Sequence, residues 1–256
     1  MSALLATKDV TVRFGGLVAN DAISLEVPQG SLSAVIGPNG AGKTTLFNAI
    51  SGFFAPTSGT IAFDGNDITG LQQDKIAARG VVRTYQLVQL FRDLSAAENV
   101  HAGFHLVTKG GMAAALFRPR WMREQETRIR AETKELLEFV GLGGRGDVRA
   151  DQLPYGQQRL LELARALAAK PRLLMLDEPA AGLNTTETTA LSATIKRIRD
   201  RGVTVLLIEH DMSLVMQTAE HITVLDFGKK IAEGTPAEIR AHPDVIAAYL
   251  GDAAHA

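Results

Sequence analysis

The chain has no cysteine among its 256 residues. That excludes a disulfide framework and any thiol chemistry, and it fits a reducing, cytoplasmic setting. A net basic field is also missing. Lys and Arg number 27 against 28 Asp and Glu, a formal charge of −1, so charge gives no support to a nucleic-acid partner. No apolar run approaches the roughly 18 residues that would span a bilayer. Residues 1–10 lack the basic start and apolar centre of a signal peptide. The expectation is a soluble, intracellular protein whose membrane contact, if any, goes through a partner. There is no internal repeat and no low-complexity segment. What remains is ordinary globular material: 46% apolar residues, enough for one large α/β domain or a domain with an inserted subdomain.

Three blocks follow one another. Residues 4–70 are mostly strand-like. Val10, Val12 and Phe14 alternate, as do Ile23, Leu25 and Val27, and Pro28-Gln29-Gly30 reads as a turn. Residues 32–36 form a short apolar strand, residues 43–50 a helix, and residues 59–63 with Asp64-Gly65 a further hairpin. The middle block, residues 87–146, changes character. It holds Gly110-Gly111, Phe117-Arg118-Pro119-Arg120-Trp121, and a charged helical stretch at 123–140 whose Leu136, Leu137 and Val140 fall at helical spacing. This predicts an inserted helical subdomain. Its arginines are interleaved with Glu124, Glu126, Glu132 and Glu135, the pattern of a solvated helix face. A second helix is expected from Gln157 to Ala169. The third block alternates strand and helix: strands at 173–176, 203–208 and 222–225, helices from Thr185 and Met212. That rhythm predicts a parallel sheet with crossover helices. Thr235-Pro236-Ala237-Glu238 has the form of a capped helix start.

Chemistry concentrates at a few places. Gly37-Pro38-Asn39-Gly40-Ala41-Gly42-Lys43-Thr44, followed by Thr45, joins a strand to a helix. Glycines there let backbone N–H groups turn around a β-phosphate, and the helix N-terminus adds a favourable dipole. Lys43 would meet the β/γ-phosphates, and Thr44 is the expected Mg²⁺ ligand. The strand at 173–176 delivers Asp177 and Glu178 at its C-terminal end, where open α/β sheets bind ligands. Asp177 suits a water-mediated Mg²⁺ contact and Glu178 a general base toward the attacking water. Two further residues sit at strand ends. Gln86 ends the strand-like 81–85 and would reach Mg²⁺ or the water. His210 follows 203–208 and would sense the γ-phosphate; as a bland alternative it simply starts a helix that Asp211 caps. About twenty residues before Asp177, Leu153-Pro154-Tyr155-Gly156-Gln157 opens a helix.

The ordered set of residues 37–44, Gln86, 153–157, Asp177-Glu178, Ala181-Gly182-Leu183-Asn184 and His210 resembles an ABC-type ATPase nucleotide-binding domain over essentially the whole chain. A finer resemblance is to the ATPase subunits of branched-chain amino-acid importers. It rests on Arg13-Phe14-Gly15-Gly16, the Tyr-Gly-Gln-Gln at 155–158, Phe117-Arg118 and the ending Tyr249-Leu250-Gly251. The fold so implied is α/β: a P-loop NTPase core with a mostly parallel sheet, an N-terminal antiparallel β subdomain and an inserted helical subdomain. It forms one nucleotide-binding domain over 1–256, with the insert at about 87–170 including the signature helix. The resemblance implies ATP and Mg²⁺ as ligands and a second ATPase subunit, identical or different, as partner. Each nucleotide would then lie between the phosphate loop of one subunit and Tyr155, Gly156 and Gln157 of the other. Phe14 stands where the family places an aromatic on adenine; it also suits a packed strand. The segment 87–94, with Leu87, Phe91 and Leu94, would form a groove for a permease subunit, or else pack in a core. A solute-binding protein outside the membrane is implied indirectly, and the location implied is the cytoplasmic face of the cell membrane.

The chain departs from the family pattern in two places. Pro154 and Tyr155 stand where a Ser hydroxyl and a Gly N–H are usual, and Pro154 offers neither group. Asn184 replaces the usual Asp, and Asn184-Thr185-Thr186-Glu187 also reads as a helix cap. The function expected is ATP hydrolysis driving an importer for branched-chain or other hydrophobic amino acids. Related systems for urea, amides or lipid export, a non-transport ATP-gated clamp, and a subunit that binds ATP without cleaving it are the alternatives.

Overall fold

The computed structural model describes residues 3–108, 120–209 and 211–253. His210, Gly110-Gly111 and Phe117-Arg118-Pro119 lie outside the described residues. Along the chain come β1 (Ala3–Phe14), β2 (Leu17–Pro28), β3 (Leu32–Ile36), α1 (Lys43–Ile50), β4 (Ser58–Phe63), β5 (Asn66–Asp67), α2 (Gln73–Ala77) and β6 (Val81–Arg83). Next are α3 (Ala96–Gly103), α4 (Arg120–Phe139) and α5 (Tyr155–Ala168). Then β7 (Leu173–Asp177), α6 (Thr185–Asp200), β8 (Thr204–Ile208), α7 (Met212–Thr218), β9 (His221–Asp226), β10 (Lys229–Gly234), α8 (Pro236–Ala241) and α9 (Pro243–Ala253) complete it. Two compact units emerge: Met1–Arg83 with Arg172–Ala256, and Thr84–Pro171.

The first unit carries two sheets. One is antiparallel, in the order β2-β1-β4-β5; the other runs β10-β9-β3-β8-β7-β6, parallel from β9 to β6. Every residue of β3, β7 and β8 is buried, so these strands read as unbroken apolar runs rather than alternating ones. In β2 the alternating Ile23, Leu25 and Val27 are buried, while β1 buries Val10 and Val12 together with adjacent pairs such as Leu4 and Leu5. Their side chains share a core with Leu46, Phe47 and Ile50 of α1 and with Val35, Met175 and Leu206 of the parallel sheet.

Two local expectations change. Strand β6 stops at Arg83 rather than continuing through Tyr85, because it pairs only with β7 and only from Val81 to Arg83. Strand β10 was not anticipated: Lys-Lys-Ile-Ala-Glu-Gly has little apolar pattern, and it is an edge strand held by pairing with β9.

The second unit is helical. α3 starts in a capping box, with Ser95 and Glu98 each satisfying the other's backbone N–H. α4 buries Ile129, Thr133, Leu137 and Phe139 and leaves its charged side to solvent. It begins three residues before the expected Arg123.

Candidate nucleotide-binding site

The phosphate loop is shaped by close packing. Gly37 has φ +150°, and a Cβ there would fall 2.0 Å from the Leu225 carbonyl oxygen. Gly42 has φ +94°, and its Cβ would meet Ala19 O at 2.4 Å and Asn20 Nδ2 at 2.5 Å. Neither site admits a side chain, so the loop backbone lies flush against the β9 end and the β2 strand. Asn20 Nδ2 donates to Gly42 O at 3.1 Å. Lys43, 6% exposed, donates through Nζ to Gly37 O at 2.7 Å and Pro38 O at 2.8 Å. Its charge is thus held inside the curve of the loop. The loop borders a cavity of about 400 Å³, which Phe14, Leu17, residues 39–45, Glu178 and Phe227 line.

The two carboxylates differ in setting. Asp177 is buried at the end of β7, and Arg83 Nη2 donates to its Oδ2 at 2.6 Å. The same guanidinium donates through Nη1 to Asn48 Oδ1 at 2.7 Å and Ser51 Oγ at 3.0 Å, both contributed by the α1 end. Arg83 therefore braces the carboxylate strand against the phosphate-loop helix. Glu178 sits at φ +45°, a region that side chains rarely occupy, and reaches the cavity. Its N–H donates to Ile208 O at 2.9 Å. Fully buried Glu209 accepts from Ala180 N at 2.9 Å and from Asp211 N at 3.3 Å, joining the turn after Glu178 to the segment around position 210. Asp211 caps α7 by accepting from Ser213 N and Leu214 N.

In the helical unit, Gln86 is exposed, beyond the end of β6. Its carbonyl accepts from Arg159 Nη2, and Tyr85 O accepts from Arg159 Nη1 at 3.2 Å. Glu162 Oε1 accepts from Gln89 N at 3.2 Å, and Glu162 pairs with Arg159 at 3.4 Å. Burial pushes the Glu162 carboxyl above its ordinary pKa, against the pull of the Gln89 N–H and the neighbouring arginines. These two buried residues of α5 thereby hold the 85–89 segment. Helix α5 starts at Tyr155 with Pro154 as N-cap and no side-chain cap, so the first-turn N–H groups, those of Tyr155, Gly156 and Gln157 included, have no intrahelical partner. Leu87, Phe91 and Leu94 are exposed at 73%, 53% and 37%.

Residues 20–181 match the ABC transporter family, well over half of the chain. The chain belongs to the ABC transporter family. Residues 229–255 further match a family described as branched-chain amino acid ATP-binding cassette transporter. The high-affinity branched-chain amino acid transport ATP-binding protein BraF of Pseudomonas aeruginosa is 48% identical over 251 residues, 98% of each chain. Among solved structures, the ADP conformation of an ATP-binding cassette of an ABC transporter is similar at TM-score 0.85 and 30% identity, over 98% of this chain and 100% of that one. A dimeric bacterial ABC transporter cassette is similar at TM-score 0.76 and 25% identity, over 91% and 98%.

As an ABC ATPase the chain binds ATP, and the donor set suits it: a loop of backbone N–H groups, Lys43 within it, and the hydroxyls of Thr44 and Thr45 on the cavity wall. Among the described residues no group of three or more His, Asp or Glu gathers to cage a metal. Of the anticipated residues, Phe14, residues 39–45 and Glu178 share one cavity; Gly37 and Pro38 form the turn that Lys43 binds, and Asp177 closes the adjoining strand. Gln86, Tyr155, Gly156 and Gln157 belong to the helical unit. Arg83, Arg159, Glu162 and Glu209 were not anticipated. Arg83 and Glu209 adjoin apolar strand residues, whereas Arg159 and Glu162 sit in an ordinary helical pattern that gives no signal.

Proposed function

We propose that this chain is the ATP-hydrolysing subunit of an importer for branched-chain amino acids. The observation that carries this is one cavity lined by the phosphate loop, Lys43 and the Glu178 carboxylate. Backbone N–H groups of residues 40–44 and the Lys43 ammonium hold the phosphates and offset the charge on the transferring group. Glu178 takes the proton of a water that attacks the γ-phosphorus in line. The new P–O bond forms as the bond to the β-phosphate oxygen breaks, and ADP leaves with that electron pair. Mg²⁺ would be held by Thr44 and Asp177 with the phosphates and would supply further charge neutralisation.

A second ATPase subunit contributes Tyr155, Gly156 and Gln157 across the nucleotide. Exposed Leu87, Phe91 and Leu94 receive the permease subunits, an apolar patch of the kind that marks a partner site. The chain thus works at the cytoplasmic face of the membrane, and a solute-binding protein acts through the permease. The amino-acid substrate class rests on the relatives and on the match at 229–255. The test is reconstitution with permease and binding protein in vesicles. Leucine uptake should require ATP and vanish in Lys43→Ala. Hydrolysis that is indifferent to leucine-loaded binding protein would remove the substrate assignment.

A further inference from the structure

The β9–β10 hairpin turns through two residues, Phe227 and Gly228, with Asp226 paired to Lys229 across it. Both central residues have positive φ, +42° and +76°. A two-residue hairpin of this kind favours Asn, Asp or Gly at its first position. Phenylalanine there is locally disfavoured, because its Cβ and ring crowd the left-handed backbone. Nor does burial compensate, since Phe227 is 87% exposed. A residue that is wrong for its turn and wrong for its solvent exposure points to something the isolated chain leaves out.

The turn is fastened to the phosphate loop. Gly228 N donates to Ala41 O at 3.2 Å, and Asp21 N donates to Gly228 O at 2.8 Å. Leu225, two residues earlier, packs on Gly37 so closely that no Cβ would fit between them. The backbone at Phe227 is therefore held beside the phosphate loop, and Phe227 lines the same cavity. The polar part of the lining is Lys43, Thr44 and Thr45. The lining also carries exposed Phe14, Leu17 and Phe227. A lining that combines polar groups with exposed apolar side chains suits a phosphate chain ending in a planar base.

We propose that Phe227 is a second aromatic contact for the purine base, supplied by the β9–β10 turn and additional to Phe14. The assignment rests on the nucleotide reading of the cavity. Phe227 contributes affinity through the base and leaves the phosphates to the loop.

The test is calorimetric titration of the full-length chain with ADP, and separately with tripolyphosphate, which has no base. Phe227→Ala should weaken ADP about tenfold, the scale of one lost base–aromatic stack, and leave tripolyphosphate unchanged. Phe227→Asn suits the turn, so it should raise the melting temperature while weakening ADP to the same extent. That opposed pair of changes is not expected of a ring with a merely structural role. Unchanged ADP affinity in both variants overturns the proposal. So does a parallel loss of tripolyphosphate, which would show the turn acting through the phosphate loop. Unchanged ADP affinity with lost ATP-dependent dimerisation would assign the ring to a subunit interface instead. If the wild-type chain binds neither ligand, the nucleotide reading itself fails.

Discussion

Arg83 Nη2 and Asp177 Oδ2 lie 2.6 Å apart, and each side chain is only 5% exposed. The pair places the carboxylate at the β7 end while the same guanidinium holds Asn48 and Ser51 at the end of α1. Removing one partner leaves a buried charge without its counter-ion. Arg83→Met should therefore cost about 3–5 kcal/mol, read as a lowered urea midpoint. Adding Asp177→Asn to it should recover much of that loss, since the orphaned charge is gone. If the single and double variants are equally unstable, the ion pair does not govern stability there.

Glu178 is set at positive φ and faces the cavity, as a base must to reach a water beside the γ-phosphate. Glu178→Gln should keep ATP affinity and lower turnover by at least about 10²-fold. A variant that hydrolyses ATP at the wild-type rate would remove Glu178 from that role.

Arg159 reaches from α5 to the Tyr85 and Gln86 carbonyls. Arg159→Met should release that segment, seen as faster amide hydrogen exchange at residues 85–89 without global unfolding. Protection equal to wild type would mean that Glu162 and Gln89 suffice.

Glu162 binds its proton more tightly folded than unfolded, since burial raises its pKa. Unfolding free energy from this group is greatest below the ordinary carboxylate pKa, falls as pH rises through the raised pKa, and is level above it. Glu162→Gln should flatten that component of the stability profile, measured by urea midpoints between about pH 4 and pH 7. An unaltered profile would show that folding leaves the proton affinity of Glu162 unchanged.

Asn184 spends its side chain on a capping box, accepting from Glu187 N while Glu187 accepts from Asn184 N, each at 3.0 Å. Asn184→Ala should lower stability by about 1 kcal/mol and leave the ATPase rate of the assembled transporter nearly unchanged. A large loss of rate at preserved stability would restore a catalytic part to this position.

Pro154 leaves the Tyr155 and Gly156 amides and the helix dipole in place at the start of α5. Pro154→Ser is expected not to raise turnover of the assembled transporter; a tenfold rise would correspond to about 1.4 kcal/mol. A rise would show that the hydroxyl matters and that backbone donors are not enough.

Much of this was legible beforehand wherever function depends on residues adjacent in sequence. The phosphate loop, the Asp177-Glu178 pair and the Thr235 capping box are local, so spacing alone exposes them. Strand β10 escaped because an edge strand is made by its neighbour rather than by its own pattern, and Tyr85 was misplaced because β6 ends where pairing with β7 ends. Arg83, Glu209 and Arg159 were missed for a related reason. A buried charge is meaningful only through its partner, and the partners here are 94, 29 and 73 residues away.

The linear order of residues was thus sufficient for the family, the phosphate-binding chemistry and the parallel-sheet core, since glycine placement and hydrophobic period are properties of short stretches. Tertiary structure alone decided which charges are buried together, which backbone turns are strained, and that Phe14, Phe227 and Glu178 border one cavity. Those depend on packing between segments far apart in the chain, where close approach, burial and hydrogen bonding set the energy and local pattern carries no trace of it.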